Sequence, residues 1–253
     1  MQSTSQVSND KSACAGGGSA SRNGKSAQPH DVDQVVRSLR LFVHPDDVTE
    51  LRAIRVQQRF GRPQTVAGFF DHEHLEEMAA EALRLDGQAR GIYFTLNPVH
   101  PALLARICNR VRVVGEDETT NDGNILGRRW LPIDADPRRP KDVSSTDAEK
   151  AKALEVIQDI RCHLHGLGWP SPILADSGNG YHLLYLLDQP ASDGGLVEHI
   201  LKALAARFDT DAVALDQKVF NPARIWKIYG TTSCKGDSTP ARPHRRSRIL
   251  EVP

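Results

Sequence analysis

The chain reads as an α+β protein, and three features predict that class. Strand-like apolar runs such as Gly91–Leu96, Leu131–Asp136 and Tyr181–Leu186 alternate with amphipathic helical stretches. Two runs, Ile173–Ala175 and Tyr181–Leu186, are joined by Asp176-Ser177-Gly178-Asn179-Gly180, a Gly- and Asn-rich turn that makes an antiparallel hairpin. Hairpins mixed among helices favour α+β over a doubly wound parallel sheet.

Residues Met1 to about His30 are rich in Ser, Gly, Asn, Gln and Lys and hold almost no large apolar side chains. They cannot offset the entropy of ordering, so a disordered tail is expected there. Val32, Val35, Val36, Leu39 and Phe42 then have helical spacing, and strand and turn follow from Val48 to Phe70. Asp71 can cap a helix whose apolar stripe is Leu75, Met78, Ala79, Ala82 and Leu83, ended by Asp86-Gly87. Gly91–Leu96 is a strand stopped by Asn97-Pro98, and Pro101 suits the first turn of a helix carrying Leu103, Leu104, Ile107 and Val111. Gly115 to Gly127 is polar and acidic, hence a loop.

Leu131–Asp136 is the next strand. Thr146 with Glu149 forms a capping box for a long helix with Leu154, Ile157, Ile160 and Leu164 inward. After the hairpin comes a helix burying Leu196, Ile200, Leu201, Leu204 and Phe208, then a strand at Arg224–Tyr229 and a last one within Ser247–Val252.

At 253 residues the chain can form one large domain or two small ones. Lys+Arg and Asp+Glu balance at 32 each, so net charge selects no partner. From Lys218 to Arg248, however, the basic residues Lys218, Arg224, Lys227, Lys235, Arg242, Arg245, Arg246 and Arg248 face a single acid, Asp237. Such a cluster suits phosphate. Cys14, Cys108, Cys162 and Cys234 show no paired spacing, which points to a reducing cytoplasm. No apolar run is long enough to span a bilayer, and no signal-peptide core opens the chain, so no membrane partner is expected.

Three stretches carry candidate chemistry. On the strand Leu131–Asp136, Asp134 and Asp136 share a face, about 6–7 Å apart, while Leu131, Ile133 and Ala135 take the core face. Paired carboxylates repel unless a cation joins them, and Mg²⁺ takes one or two carboxylates plus phosphate oxygens. The turn Ser177-Gly178-Asn179-Gly180 could offer successive N–H groups to an anion, with His182 as a further donor. It is no Walker loop, because no Gly-Lys-Ser/Thr follows. Asp216 could add a third carboxylate, with Asp209 and Asp211 as rivals. Beyond it, Arg224, Trp226 and Ile228 should share one strand face and Ile225, Lys227 and Tyr229 the other, with Lys235 following.

The order of these pieces resembles the archaeo-eukaryotic primase superfamily, in particular the primase-polymerase domains of phage, plasmid and other mobile-element replication proteins. The likeness covers roughly Asp31 to Pro253. It implies a catalytic RNA-recognition-like sheet, residues 110–253, packed beside a smaller α/β unit, residues 31–109. By that resemblance Asp134, Asp136 and Asp216 match the metal-binding catalytic acids, with Mg²⁺ or Mn²⁺ as cofactor. Ser177, Gly178 and His182, joined by Asn179 of the same turn, match the nucleotide-contacting segment, and Arg224, Lys227 and Lys235 match basic positions near the phosphates. The implied partners are single-stranded DNA template, nucleoside triphosphates and a replicative helicase, on this chain as a stand-alone domain or a fragment. Arg138 and Arg139, with the C-terminal cations, are expected on template phosphates. A metal-dependent nuclease or phosphoesterase and a non-catalytic nucleic-acid-binding module remain open from the residues.

Overall fold

The computed structural model describes residues 29–253. Of the tail expected over residues 1–30, only Pro29 and His30 fall inside that span, and they begin the first helix. In chain order the elements are α1 (Pro29–Leu39), β1 (Val48–Val56), β2 (Gln64–Asp71), α2 (Leu75–Leu85), β3 (Gly91–Thr95), β4 (Arg112–Val113), β5 (Gly127–Pro137), α3 (Asp147–Gly166), β6 (Ile173–Asp176), β7 (Tyr181–Pro190), α4 (Leu196–Phe208), β8 (Val213–Leu215), β9 (Ile225–Lys227), β10 (Thr232–Ser233), β11 (Arg245–Arg246) and β12 (Arg248–Glu251).

The class is mixed α+β, built on two five-stranded sheets. The first runs β4-β2-β1-β3-β9 and the second β12-β6-β7-β5-β8, with every paired strand antiparallel to its neighbour. In β5 the alternation holds: Leu131, Ile133 and Ala135 are fully buried. The helices α3 and α4 lie against the second sheet, with Ala153, Ile157, Ile160, Leu201 and Leu204 buried. The first sheet buries Leu51, Ala53, Ile92 and Phe94, with Met78 and Ala82 of α2 buried in the same core. No helix among the described residues is long and apolar enough to cross a membrane.

One core joins the two sheets. Phe42, just past α1, has Phe94 of β3 at 5.3 Å, Trp130 of β5 at 5.2 Å and Tyr229 at 6.2 Å between ring centroids. The first sheet also takes β4 and β9 from beyond residue 109. The division expected between residues 109 and 110 therefore runs through a shared sheet and a shared core.

Several elements depart from expectation. The helix opened by Pro101 is a 3-10 helix ending at Arg106, because only Leu103 and Ile107 are buried and no longer apolar stripe holds it. Asp71 caps a 3-10 turn, His72–His74, that leads into α2. In α3 the buried stripe is Ala153, Val156, Ile157, Ile160 and Leu164, with Leu154 half-buried. In α4, Val197 is buried and Leu196 exposed, while Ile200 and Phe208 are half-buried. The strand expected over Arg224–Tyr229 stops at Lys227, and Gly230, at φ +95°, completes the turn.

Because Phe42 packs on both sheets, both should melt together. Calorimetry should give one transition, and Phe42→Ala should shift it down as a single step, with a loss of about 3–5 kcal/mol in stability. Two separate transitions in the parent protein would contradict this shared core.

Candidate active site

The second sheet's register places the acids. In an antiparallel pair, directly opposed residues project to the same face. Asp134 of β5 lies opposite His182 of β7, and Asp136 lies opposite Ala214 of β8. The chain leaves β8 with the Asp216 N–H donating to the Asp134 carbonyl at 2.9 Å. Three adjacent strands thus deliver His182, the Asp134/Asp136 pair and Asp216 to one face. The rivals of Asp216 do other work: Asp209 accepts from the Leu215 N–H at 2.9 Å, and Asp211 is exposed.

Opposite this face runs β9, the edge strand of the first sheet. A cavity of about 280 Å³ lies between them. Its walls include Asp134, Asp136, Asp216, Ser177, Asn179, His182, Arg224, Lys227 and Lys235. Every predicted site residue but Gly178 lines it. A second groove of about 430 Å³, walled by Arg138, Arg139 and Leu215, meets the first at the same three carboxylates.

The charges are unevenly compensated. Burial, then the neighbouring Asp136 carboxylate, pushes Asp134 well above the usual carboxylate range. Its Oδ1 is buried and accepts no hydrogen bond; His182 Nε2 stands 3.5 Å away. Burial would also raise Asp136, but Lys235 at 3.4 Å and Arg139 at 3.1 Å outweigh it and hold its carboxyl below the usual range. Asp216 accepts from the Lys218 N–H at 2.9 Å and faces Arg224 at 3.6 Å. Burial lowers Lys227 to about 8, with its ammonium donating to the Thr232 carbonyl at 2.8 Å.

His182 is held by a relay that strand alternation did not reveal. Trp226 Nε1–H donates to the Tyr229 hydroxyl at 2.9 Å, and that hydroxyl lies 2.8 Å from His182 Nδ1. Indole only donates, so the hydroxyl's own proton goes to Nδ1. Burial lowers the His182 pKa to about 3, so the ring is neutral. Its one proton is therefore on Nε2, beside Asp134. The Trp226 ring packs against the imidazole, tilted by 47°, at 4.3 Å between centroids. Trp226 and Tyr229 can meet because β9 ends between them.

The hairpin turn is tighter than expected. Gly178 N–H donates to Asp176 at 2.8 Å, and Gly180 N–H to Ser177 Oγ at 2.9 Å. These amides, expected to cradle an anion, are spent on the turn itself. The glycines serve close approach. A Cβ on Gly180 would lie 2.2 Å from the Ala135 carbonyl and 2.7 Å from Asp136 Oδ1. Gly178, at φ +94°, sits against Arg245.

Several expected template cations are likewise committed. Arg139 binds Asp136 and the Pro137 and Val143 carbonyls, and Arg138 the Thr210 carbonyl. Arg242 forms a two-pronged pair with Glu149 at 2.7 and 2.8 Å, Arg245 pairs with Asp147 at 2.6 Å, and Arg246 with Asp31 at 2.7 Å.

The donor chemistry suits a hard divalent cation: an unpartnered buried carboxylate oxygen with two more carboxylates on the same cavity. Among the described residues no group of three or more His, Cys, Asp or Glu stands in a ligating arrangement. Mg²⁺ is usually held by one or two carboxylates together with substrate phosphates, which needs no closed protein cage.

No protein-family model matches the chain, and no curated protein matches it. Among solved structures it is similar to a crystal structure of primase RepB′, with a TM-score of 0.48 and 11% identity, over 87% of this chain and 56% of that one. The chain thus spans little more than half of that structure's length.

Two outcomes follow from the geometry. Asp134→Asn removes a carboxyl whose ionisation is opposed by burial and by Asp136. At alkaline pH, where the acid is driven to ionise, it should therefore raise the melting temperature by about 2–4 °C, or about 1 kcal/mol, with a smaller gain as the pH is lowered; a fall at alkaline pH would contradict the crowding. Nitrogen-15 NMR should show His182 as the Nε2–H tautomer, with Tyr229→Phe giving a mixture of tautomers. An Nδ1–H ring in the parent protein would break the relay.

Proposed function

We propose that the chain is a template-directed nucleotidyltransferase, a primase-polymerase that joins nucleoside triphosphates on single-stranded DNA. One observation carries this: Asp134, Asp136 and Asp216 open on a single cavity with His182, Arg224, Lys227 and Lys235 around it. The motif order along the chain supports the same family.

Carboxylates with cations close beside them, Lys235 at 3.4 Å from Asp136 and Arg224 at 3.6 Å from Asp216, suit a triphosphate that arrives with a divalent cation. Asp134, Asp136 and Asp216 would hold Mg²⁺ or Mn²⁺ together with phosphate oxygens. When bound, the metal supplies activation of the attacking 3′-hydroxyl and charge neutralisation on the leaving pyrophosphate. The remaining work belongs to the side chains. Arg224, Lys227 and Lys235 offset charge that grows on the phosphates as the bond to the leaving group breaks. His182, kept neutral, donates from Nε2 without adding a charge that titrates near neutral pH. Ser177 and Asn179 shape the wall beside it. The adjoining groove gives the growing strand's end a way to the same carboxylates from the other side.

A nuclease built on these acids would act on one phosphodiester, which carries a single charge. Three cations on the cavity wall fit the larger charge of a triphosphate.

Incubation with a single-stranded template, labelled nucleotides and Mn²⁺ should give extension products. Asp134→Ala with Asp136→Ala should abolish synthesis and leave template binding within about twofold. Degradation of the template would favour a nuclease, and synthesis by the double variant would remove the acids from catalysis. Lys227 gives a pH test. Its lysine is partly neutral above pH 8 in the free protein, and a triphosphate restores the charge. Calorimetry at pH 8.5 in two buffers should show proton uptake on triphosphate binding, absent in Lys227→Met. Equal uptake by both proteins would separate Lys227 from the phosphates.

A further inference from the structure

The hairpin between β1 and β2 lies outside the cavity and has no role in the site above. Its tip, Arg55–Gln64, reads Arg-Val-Gln-Gln-Arg-Phe-Gly-Arg-Pro-Gln. It holds three arginines, three glutamines and no acid, and no Asp or Glu occurs between Leu51 and Phe70. Arg55, Arg59 and Arg62 are exposed, and none is in an ion pair among the described residues. This contrasts with the C-terminal arginines, which are pinned by carboxylates.

Phe60 stands at the tip. It is 83% exposed, the most of any large apolar residue described. The Arg59 guanidinium lies over its ring at 5.5 Å. Phe60 buries little of its ring and lies outside the core, and an exposed phenyl ring is unfavourable in water. A ring flanked by unpaired cations and carboxamides has the composition of a surface on which single-stranded bases stack while their phosphates meet arginine.

The base of the hairpin is joined to the site. The pairing of β1 with β2 skips between Ala53 and Val56, and Arg55 takes φ +53°, so a bulge bends the strand there. Ile54, beside the bulge, lines the central cavity. The Gln57 N–H donates to the Gln88 carbonyl and the Arg90 N–H to the Ile54 carbonyl, both at 2.9 Å, which anchors the base of the tip. The exposed tip therefore continues directly from a wall of the site.

We propose that the β1–β2 hairpin tip is a docking point for single-stranded nucleic acid, in which Phe60 stacks on a base and Arg55, Arg59 and Arg62 meet phosphates. It names how the template is held near the site and rests on the proposed function only for the identity of that strand. Double-stranded DNA keeps its bases stacked inside the helix and offers Phe60 no face.

The test is fluorescence anisotropy of a labelled single-stranded oligonucleotide on the full chain, without nucleotide or divalent metal. Phe60→Ala should weaken binding about tenfold. Phe60→Trp should bind as the parent does, with its indole emission quenched by the oligonucleotide. Arg59→Ala with Arg62→Ala should lower the slope of log affinity against log salt by about 1.4. Duplex of the same length should be insensitive to Phe60→Ala. Unchanged melting temperatures would exclude a folding effect, as expected for exposed side chains. No binding by the parent, binding by Phe60→Ala within twofold, or equal losses for single strand and duplex would overturn the proposal. Because the assay needs no synthesis, binding through Phe60 in a protein that makes no product would end the polymerase proposal and leave the docking point intact.

Discussion

Asp134 is fixed in place by the β7-β5-β8 register. Its strand is hydrogen-bonded on both sides, its neighbours Ile133 and Ala135 are fully buried, and the Asp216 N–H grips its own carbonyl. A one-residue slip would turn Asp134 and Asp136 into the apolar core and Ile133 and Ala135 out of it. The core therefore enforces the crowding of carboxylates on the opposite face. The repulsion cannot relax by backbone movement without unpacking α3 and α4.

What surrounds the acids follows from that crowding. Lys235 and Arg139 are drawn to Asp136, and Arg224 faces Asp216, while Asp134 keeps an oxygen with no partner. The Ser177–Gly180 turn folds so close over Asp136 that residue 180 has no room for a side chain. His182 is kept neutral by burial and is oriented by the Tyr229 hydroxyl, which Trp226 holds in turn; both belong to a segment leaving the first sheet. The site is thus built by both sheets, and Phe42 at their junction ties its walls to one core.

Much of this was legible in the sequence. Strand alternation was enough to place Asp134 and Asp136 together, because the period of a strand is two residues. The turn composition at Ser177–Gly180 announced the hairpin, and Thr146 with Glu149 announced the start of α3. Asp216 emerged from motif order, since no local spacing separates it from Asp209 and Asp211. Other features depend on pairings distant in the chain. The place of β9 beside β3 cannot be read from Ile225–Lys227 alone. Charge counting found the C-terminal arginines but not their partners Glu149, Asp147 and Asp31, which lie about a hundred residues or more upstream. Gly230 was the one local sign that the strand ends before Tyr229, and a single glycine says little by itself. The arginines flanking Phe60 were visible as residues, but only the structure shows the ring exposed.

In the proposed function the three acids and the neighbouring cations bind a triphosphate through a shared divalent cation. Isothermal titration of a nucleoside triphosphate with and without Mn²⁺ tests it most directly, on the parent chain and on Asp134→Asn with Asp136→Asn. Mn²⁺ should tighten binding at least about tenfold in the parent and give no gain in the variant. Equal affinity with and without Mn²⁺ in the parent, or an undiminished gain in the variant, would contradict it.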